Sequence, residues 1–226
     1  MSIWTRITEA LQALSRGEPL ANVFERLRTP REHSVAFTIA VIALGAKMAK
    51  ADGQVTRDEV TAFRQVFYIA TSDEKAAARV FDLARQDVAG FEEYANRIAR
   101  MFRENTVVLC DLMEGLFHIA NADGEYHPNE DQFLERVAQI FGLSDVRFQQ
   151  LRARFVDNAE PDPYTILGVT ADQSLEDIRK AWRQLVRESH PDQMLARGVP
   201  EEAIRMAERR MVDINRAWEK IQESHG

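Results

Sequence analysis

Apolar side chains recur along this chain at steps of three and four almost from end to end, the period of helices that turn one face to a core. Ile3, Ile7, Ala10, Leu11 and Leu14 open the series, and Gly17 and Pro19 interrupt it. The same spacing predicts helices over roughly 33–51, 56–70, 73–85, 89–103, 105–121, 128–141 and 144–156. Val60, Phe63, Val66 and Phe67 make one apolar stripe, and Phe133, Val137, Ile140 and Phe141 another. No segment alternates polar and apolar residues as a half-buried strand would, so the pattern specifies an all-α protein.

The polar run Asp157-Asn158-Ala159-Glu160-Pro161 divides the chain. It suggests an N-terminal amphipathic helix and connector over 1–29, a helical domain over 30–156, a linker over 157–161 and a smaller domain over 162–226. In the smaller domain Tyr164, Ile166 and Leu167 fit one apolar turn that Gly168 stops. Ser174 is suited to cap a helix over Leu175–Ser189, since its hydroxyl can accept from the free N–H groups of the first turn. Leu175, Ile178, Ala181, Trp182, Leu185 and Val186 share the apolar face of that helix, while Arg179, Lys180, Arg183 and Arg187 form a basic strip off it. Pro191 ends the helix at His190-Pro191-Asp192, because proline cannot continue the ladder and disfavours helical geometry at the residue before it. A last helix is expected from about Pro200 to Glu223, with Ile204, Ala207, Met211, Ile214, Trp218 and Ile221 inward. The two helices would form an antiparallel hairpin with His-Pro-Asp at its tip.

Four segments in this order resemble a J-domain: Asp162-Pro163-Tyr164-Thr165-Ile166-Leu167-Gly168-Val169, Ile178 to Leu185, His190-Pro191-Asp192, and Ile214-Asn215-Arg216-Ala217-Trp218. His-Pro-Asp alone would be a weak signal; the full order is a strong one. The resemblance implies a co-chaperone whose basic helix docks on an acidic surface of a DnaK-class chaperone and whose His-Pro-Asp loop promotes ATP hydrolysis there. His190, Pro191 and Asp192 would then be the stimulating motif, and Arg179, Lys180, Arg183 and Arg187 the docking charges. Gln193 stands where the family often has a basic residue, and Trp182 where tyrosine is usual. The stretch from Met194 to Val199 is expected as a long loop, and with Pro200-Glu201-Glu202 after it most resembles DjlA-like J-domains.

The longer domain contains a repeat. Ala49-Lys50-Ala51-Asp52-Gly53 followed by Glu59 matches Ala120-Asn121-Ala122-Asp123-Gly124 followed by Glu130, in each copy between two apolar helices. Asp-Gly with Glu six residues later is similar to the second half of a calcium loop, but Met48, Lys50, Ile119 and Asn121 occupy the earlier ligand positions, which excludes an EF-hand. The plain reading is that Asp52 and Asp123 cap the helices that follow them while the glycines take the turns. The repeat also resembles the TerB-like (tellurite-resistance type) domain, which stands ahead of the J-domain in DjlA-like proteins. That resemblance covers about residues 30–155 and implies two pseudo-repeated helical hairpins. On it, Asp52, Glu59, Asp123 and Glu130 could converge on a divalent cation, Ca²⁺ or Mg²⁺. DjlA-like proteins typically carry an N-terminal membrane anchor, and this chain is expected to lack one.

Composition narrows the function. The net charge of −7 is shared by both parts, with 19 basic against 24 acidic residues ahead of Asp162 and 10 against 12 from there on, so neither is a basic nucleic-acid module. The longest uncharged run, Ser34 to Ala46, is too short to span a bilayer. With no signal peptide before it, a cytoplasmic protein is expected. The single cysteine, Cys110, sits in an apolar stretch where a buried inert thiol is the default, and His118 lies between Phe117 and Ile119 as a packed histidine would. With no phosphate loop and no zinc spacing, an enzyme is not indicated. The amphipathic helix Ile3 to Leu14 offers a face to its own domain, to a homodimer or to a membrane surface, and packing on its own domain is the expectation. Two readings follow. One is an adaptor, in which the J-domain recruits a DnaK-class chaperone and the TerB-like domain selects a client or partner. The other is a metal-responsive stress or resistance protein with a cation site in the N-terminal domain. Calorimetry with Ca²⁺ or Mg²⁺ at millimolar concentration separates them: the second predicts a binding isotherm lost in Asp52→Asn/Asp123→Asn, and a flat titration removes it.

Overall fold

The structure is a computed structural model describing residues 3–27, 29, 32–51, 66–67, 69, 71–86, 90–121, 124, 126–155 and 162–225. Twelve α-helices and two 3₁₀ turns, and no strand, are found among the described residues. In the N-terminal part they are α1 (Ile3–Ser15), α2 (Leu20–Arg26), α3 (His33–Ala51), α4 (Glu74–Gln86), α5 (Phe91–Met101), α6 (Thr106–Ala120), α7 (Pro128–Phe141) and α8 (Asp145–Ala153). The C-terminal part holds α9 (Pro163–Leu167), α10 (Leu175–Ser189), α11 (Pro191–Ala196) and α12 (Ile204–His225).

Helices α3 and α6 are apolar around most of their circumference, so both lie inside the bundle rather than on it. They approach closely because each offers the other a glycine. A Cβ on Gly115 would stand 3.3 Å from the Val41 side chain, and one on Gly45 would stand 2.9 Å from Ile119. Helices α1, α4 and α5 pack around α3, and α7 and α8 around α6. The apolar face of α1 is spent on this core: Trp4, Ile7 and Leu11 are buried, and Trp4 meets Phe67 edge-on with ring centroids 6.4 Å apart. The α1 face is therefore covered within the chain. Of the helix expected over 56–70, residues 56–65, 68 and 70 lie outside the described residues; Val66 and Phe67 are buried.

The C-terminal hairpin has a small core of its own, made by Leu167, Ile178, Ile214, Ala217, Trp218 and Ile221. Asp162 caps α9 by accepting from the Thr165 N–H at 2.8 Å, Gly168 ends it with φ +65°, and the Ser174 hydroxyl caps α10. Trp182 stacks on Trp218 at 5.3 Å, and its indole N–H donates to Asn215 Oδ1 at 3.0 Å. The hairpin thus accommodates tryptophan at this position with its one polar atom satisfied.

Two elements differ from expectation. The loop expected from Met194 to Val199 is in part helix, since α11 starts at Pro191 and runs to Ala196. Proline pre-sets the first helical φ and lacks only an N–H that would be unpaired there anyway, so the residue that ends α10 begins α11. The last helix opens as a 3₁₀ turn, Glu201–Ala203, before α12 proceeds to His225. The close α3–α6 crossing yields a prediction. Gly115→Leu forces branched carbons against Val41 and should lower unfolding stability by about 1–3 kcal/mol in urea titrations, as overpacked cores do.

Candidate functional site

His190 sits between α10 and α11 and belongs to both. It terminates α10 and is the N-cap of α11, where its Nδ1 accepts from the Asp192 N–H at 3.2 Å. The ring keeps 52% of its side-chain surface and Asp192 keeps 83%, so both are presented to solvent. The Asp192 carboxylate stands 3.6 Å from His190 Nδ1. His190 thus caps a helix while it and Asp192 stay exposed, with Pro191 half-buried between them.

Arg179, Lys180, Arg183 and Arg187 are all exposed on α10. Lys180 is shared between Glu176 and Asp177, each at 3.2 Å, while Arg187 donates from Nη2 to the Gln184 side-chain oxygen. Such exposed pairs contribute little to folding, and a partner can displace them at small cost. The four basic residues along α10 and His190 and Asp192 at its end are all exposed.

The residues proposed to hold a cation fall mostly outside what the structure describes. Asp52, Glu59 and Asp123 lie outside the described residues. Glu130 is the third residue of α7, buried, and its Oε2 accepts from the His127 N–H at 2.9 Å, the reach-back of a capping box. Among the described residues no group of three His, Cys, Asp or Glu side chains is placed to hold a metal. Cys110 is buried, with burial raising its thiol pKa against the Arg147 guanidinium, whose Nε lies 3.3 Å from Sγ. His118 packs edge-on to Phe155 at 4.9 Å, and burial lowers its pKa to about 4.

A second constellation, unremarked in the sequence, joins the hairpin to the N-terminal bundle. Asp111 and Glu114 are one turn apart on α6, and neither side chain has any exposed surface. Arg154, just after α8, grips Glu114 with both Nη atoms at 3.2 and 3.1 Å and reaches Asp213 of α12 at 3.3 Å. Arg210 of α12 donates to Glu114 Oε2 at 2.6 Å and lies 2.6 Å from Asp111 Oδ1. Arg197, after α11, donates to Asp111 Oδ2 at 3.1 Å. Burial would raise the Glu114 carboxyl, but the guanidinium charges of Arg154 and Arg210 and their hydrogen bonds outweigh it and hold the pKa at about 2. Around the cluster, Met194, Val199, Ala203, Met206 and Ala207 complete the core of the N-terminal bundle. Gly198, at φ +89°, passes so near that a Cβ would fall 2.6 Å from His33 Cβ. The available signal was the pair Asp111 and Glu114, spaced i, i+3 inside an otherwise apolar helix; Arg197 and Arg210 carry no comparable local mark.

Comparison with known proteins follows the same division. Residues 38–153 match the family described as Tellurite resistance protein TerB, and residues 162–225 match the DnaJ domain. Among curated proteins, the Co-chaperone protein DjlA of Vibrio cholerae is 26% identical over 227 residues, covering 86% of this chain and 80% of that protein. The Co-chaperone protein DjlA of Coxiella burnetii is 29% identical over 196 residues, covering 78% and 73%. That of Haemophilus ducreyi is 24% identical over 251 residues, covering 93% and 85%. No solved structure matches. Among the described residues no helix is long and apolar enough to cross a membrane.

The two depressed pKa values set a pH dependence of one sign. Each group binds its proton more readily when unfolded, so each contributes stability that is full above its unfolded pKa and is lost on acidification. For His118 the loss runs from pH 6.5 toward about 4, and for Glu114 from 4.5 toward about 2. Thermal melts should therefore shift downward from near pH 6.5, and Glu114→Gln should flatten the limb below pH 4.5 while lowering stability at neutral pH by about 3–5 kcal/mol, the cost of stripping one partner from a buried pair.

Proposed function

We propose that this chain, which belongs to the TerB family and carries a DnaJ domain behind its TerB domain, is a co-chaperone that stimulates ATP hydrolysis by a DnaK-class chaperone. The observation that carries this reading is the exposure of the α10 basic strip together with His190 and Asp192. The N-terminal bundle packs on the far side of α11 and on α12, and it leaves that surface to a partner. Arg179, Lys180, Arg183 and Arg187 supply a field that speeds encounter with an acidic surface. His190, Pro191 and Asp192 then meet the partner's ATPase domain, where the hydrolysis itself takes place. The TerB domain serves as the adaptor that brings a client or a second protein to the chaperone; the relatives named as DjlA co-chaperones support the co-chaperone role as a whole.

Two variants test the two halves of the surface in single-turnover ATPase assays with the cognate chaperone. His190→Gln should abolish stimulation even at saturating concentration. Arg179→Glu/Arg183→Glu should instead raise the half-saturating concentration by about tenfold and make it less sensitive to salt, since two of the four steering charges are reversed. No stimulation by the wild-type chain would refute the reading.

A further inference from the structure

The end of α10 poses a hydrogen-bonding problem that the TerB domain solves. In a continuing helix the Glu188 carbonyl would accept from the N–H of residue 192. Here the Asp192 N–H is turned to His190 Nδ1, and Pro191 has no N–H to offer to the preceding carbonyl. The Glu188 carbonyl therefore needs another donor, and Arg197 Nη2 provides it at 2.9 Å. That same Nη2 donates to Asp111 Oδ2 on α6, whereas Arg197 Nε is buried without an acceptor. Among the described residues Asp111 is thus the carboxylate paired with the arginine that closes the stimulating loop. A second link runs beside it, with Arg147 of α8 standing 3.9 Å from the Glu188 carboxylate.

We infer that Asp111 of the TerB domain is a positioning residue for the J-domain: through Arg197 it fixes the Glu188 carbonyl and with it the presentation of His190-Pro191-Asp192. The inference rests on the co-chaperone reading for its functional consequence, though not for its structural one. It assigns to the TerB domain a part in stimulation separate from any client it binds. Arg179, Lys180 and Arg183 on α10 lie outside this chain of contacts, so loosening the loop leaves encounter intact and weakens the response after it.

The test uses the full chain with Asp111→Asn, which keeps shape and removes charge, and Arg197→Met, which approaches the same link from the J-domain side and serves if the first variant folds poorly. Glu92→Gln, breaking the exposed pair with Arg136, is the control. Hydrogen exchange at Asp192, Gln193 and Met194 should quicken by roughly tenfold, the loss of one hydrogen bond's protection, with Ile178 to Leu185 unchanged. In single-turnover assays the maximal stimulation should fall severalfold at an unchanged half-saturating concentration, and the double variant should lose no more than either single one. Exchange that rises evenly through the whole chain would reduce Asp111 to a stability role and overturn the inference, as would unchanged exchange or unchanged maximal stimulation. If the wild-type chain stimulates nothing, the co-chaperone reading fails instead, and the exchange data alone decide whether Asp111 holds the loop.

Discussion

Two carboxylates without exposed surface stand one turn apart on a helix otherwise lined with apolar side chains, and the arrangement of the chain depends on how their charge is met. An ionised carboxylate in such surroundings is costly unless guanidinium groups reach it with good geometry. Three do so here, and two of them, Arg197 and Arg210, come from the J-domain. The bundle that contains Asp111 and Glu114 is thus electrostatically incomplete without the hairpin. Replacing such a cluster with well-packed apolar residues is often neutral for stability. What apolar residues would not supply is direction: a bidentate fork on Glu114 and a single Nη2 between Asp111 and Glu188 each accept only a narrow range of orientations.

Apolar packing supports the same geometry. Met194, Val199, Ala203, Met206 and Ala207 fill the edge of the N-terminal core, while the J-domain's own six-residue core lies toward the other end of the hairpin. The close approach of Gly198 to His33 permits α11 and the start of α12 to settle at that distance. The hairpin is consequently divided along its length, one end belonging to the bundle and the other to itself.

Much of this fold is legible in the sequence, because helix periodicity and caps are local. Ser174 marks the start of α10, and Leu175–Ser189 is bounded as the pattern indicates. His-Pro-Asp and its basic strip are legible for the same reason, being contiguous. The charged cluster is not, since its partners lie 40, 86 and 96 residues apart and no spacing rule connects them. Helix α11 was hidden by a local ambiguity: Pro191 is both a stop for the preceding helix and a favoured first residue of the next. Of the four acidic residues linked with a cation, only Glu130 lies among the described residues, where its carboxylate caps α7.

Why the His-Pro-Asp end, rather than the open end of the hairpin, should be the one held follows from what each surface has to do. A long-range docking strip works through its field and tolerates side-chain freedom, since steering depends on charge more than on exact position. On the co-chaperone reading, His190-Pro191-Asp192 acts on a partner's active site through placement, and any disorder in it would be an ordering cost charged against the response when the complex forms. Anchoring residues 188–197 to a rigid core while leaving Arg179 and Arg183 in solvent distributes order accordingly. The acidic pair on α6 lies on the buried side of that anchor, so it can fix the loop without presenting negative charge to the acidic surface that the strip is suited to meet.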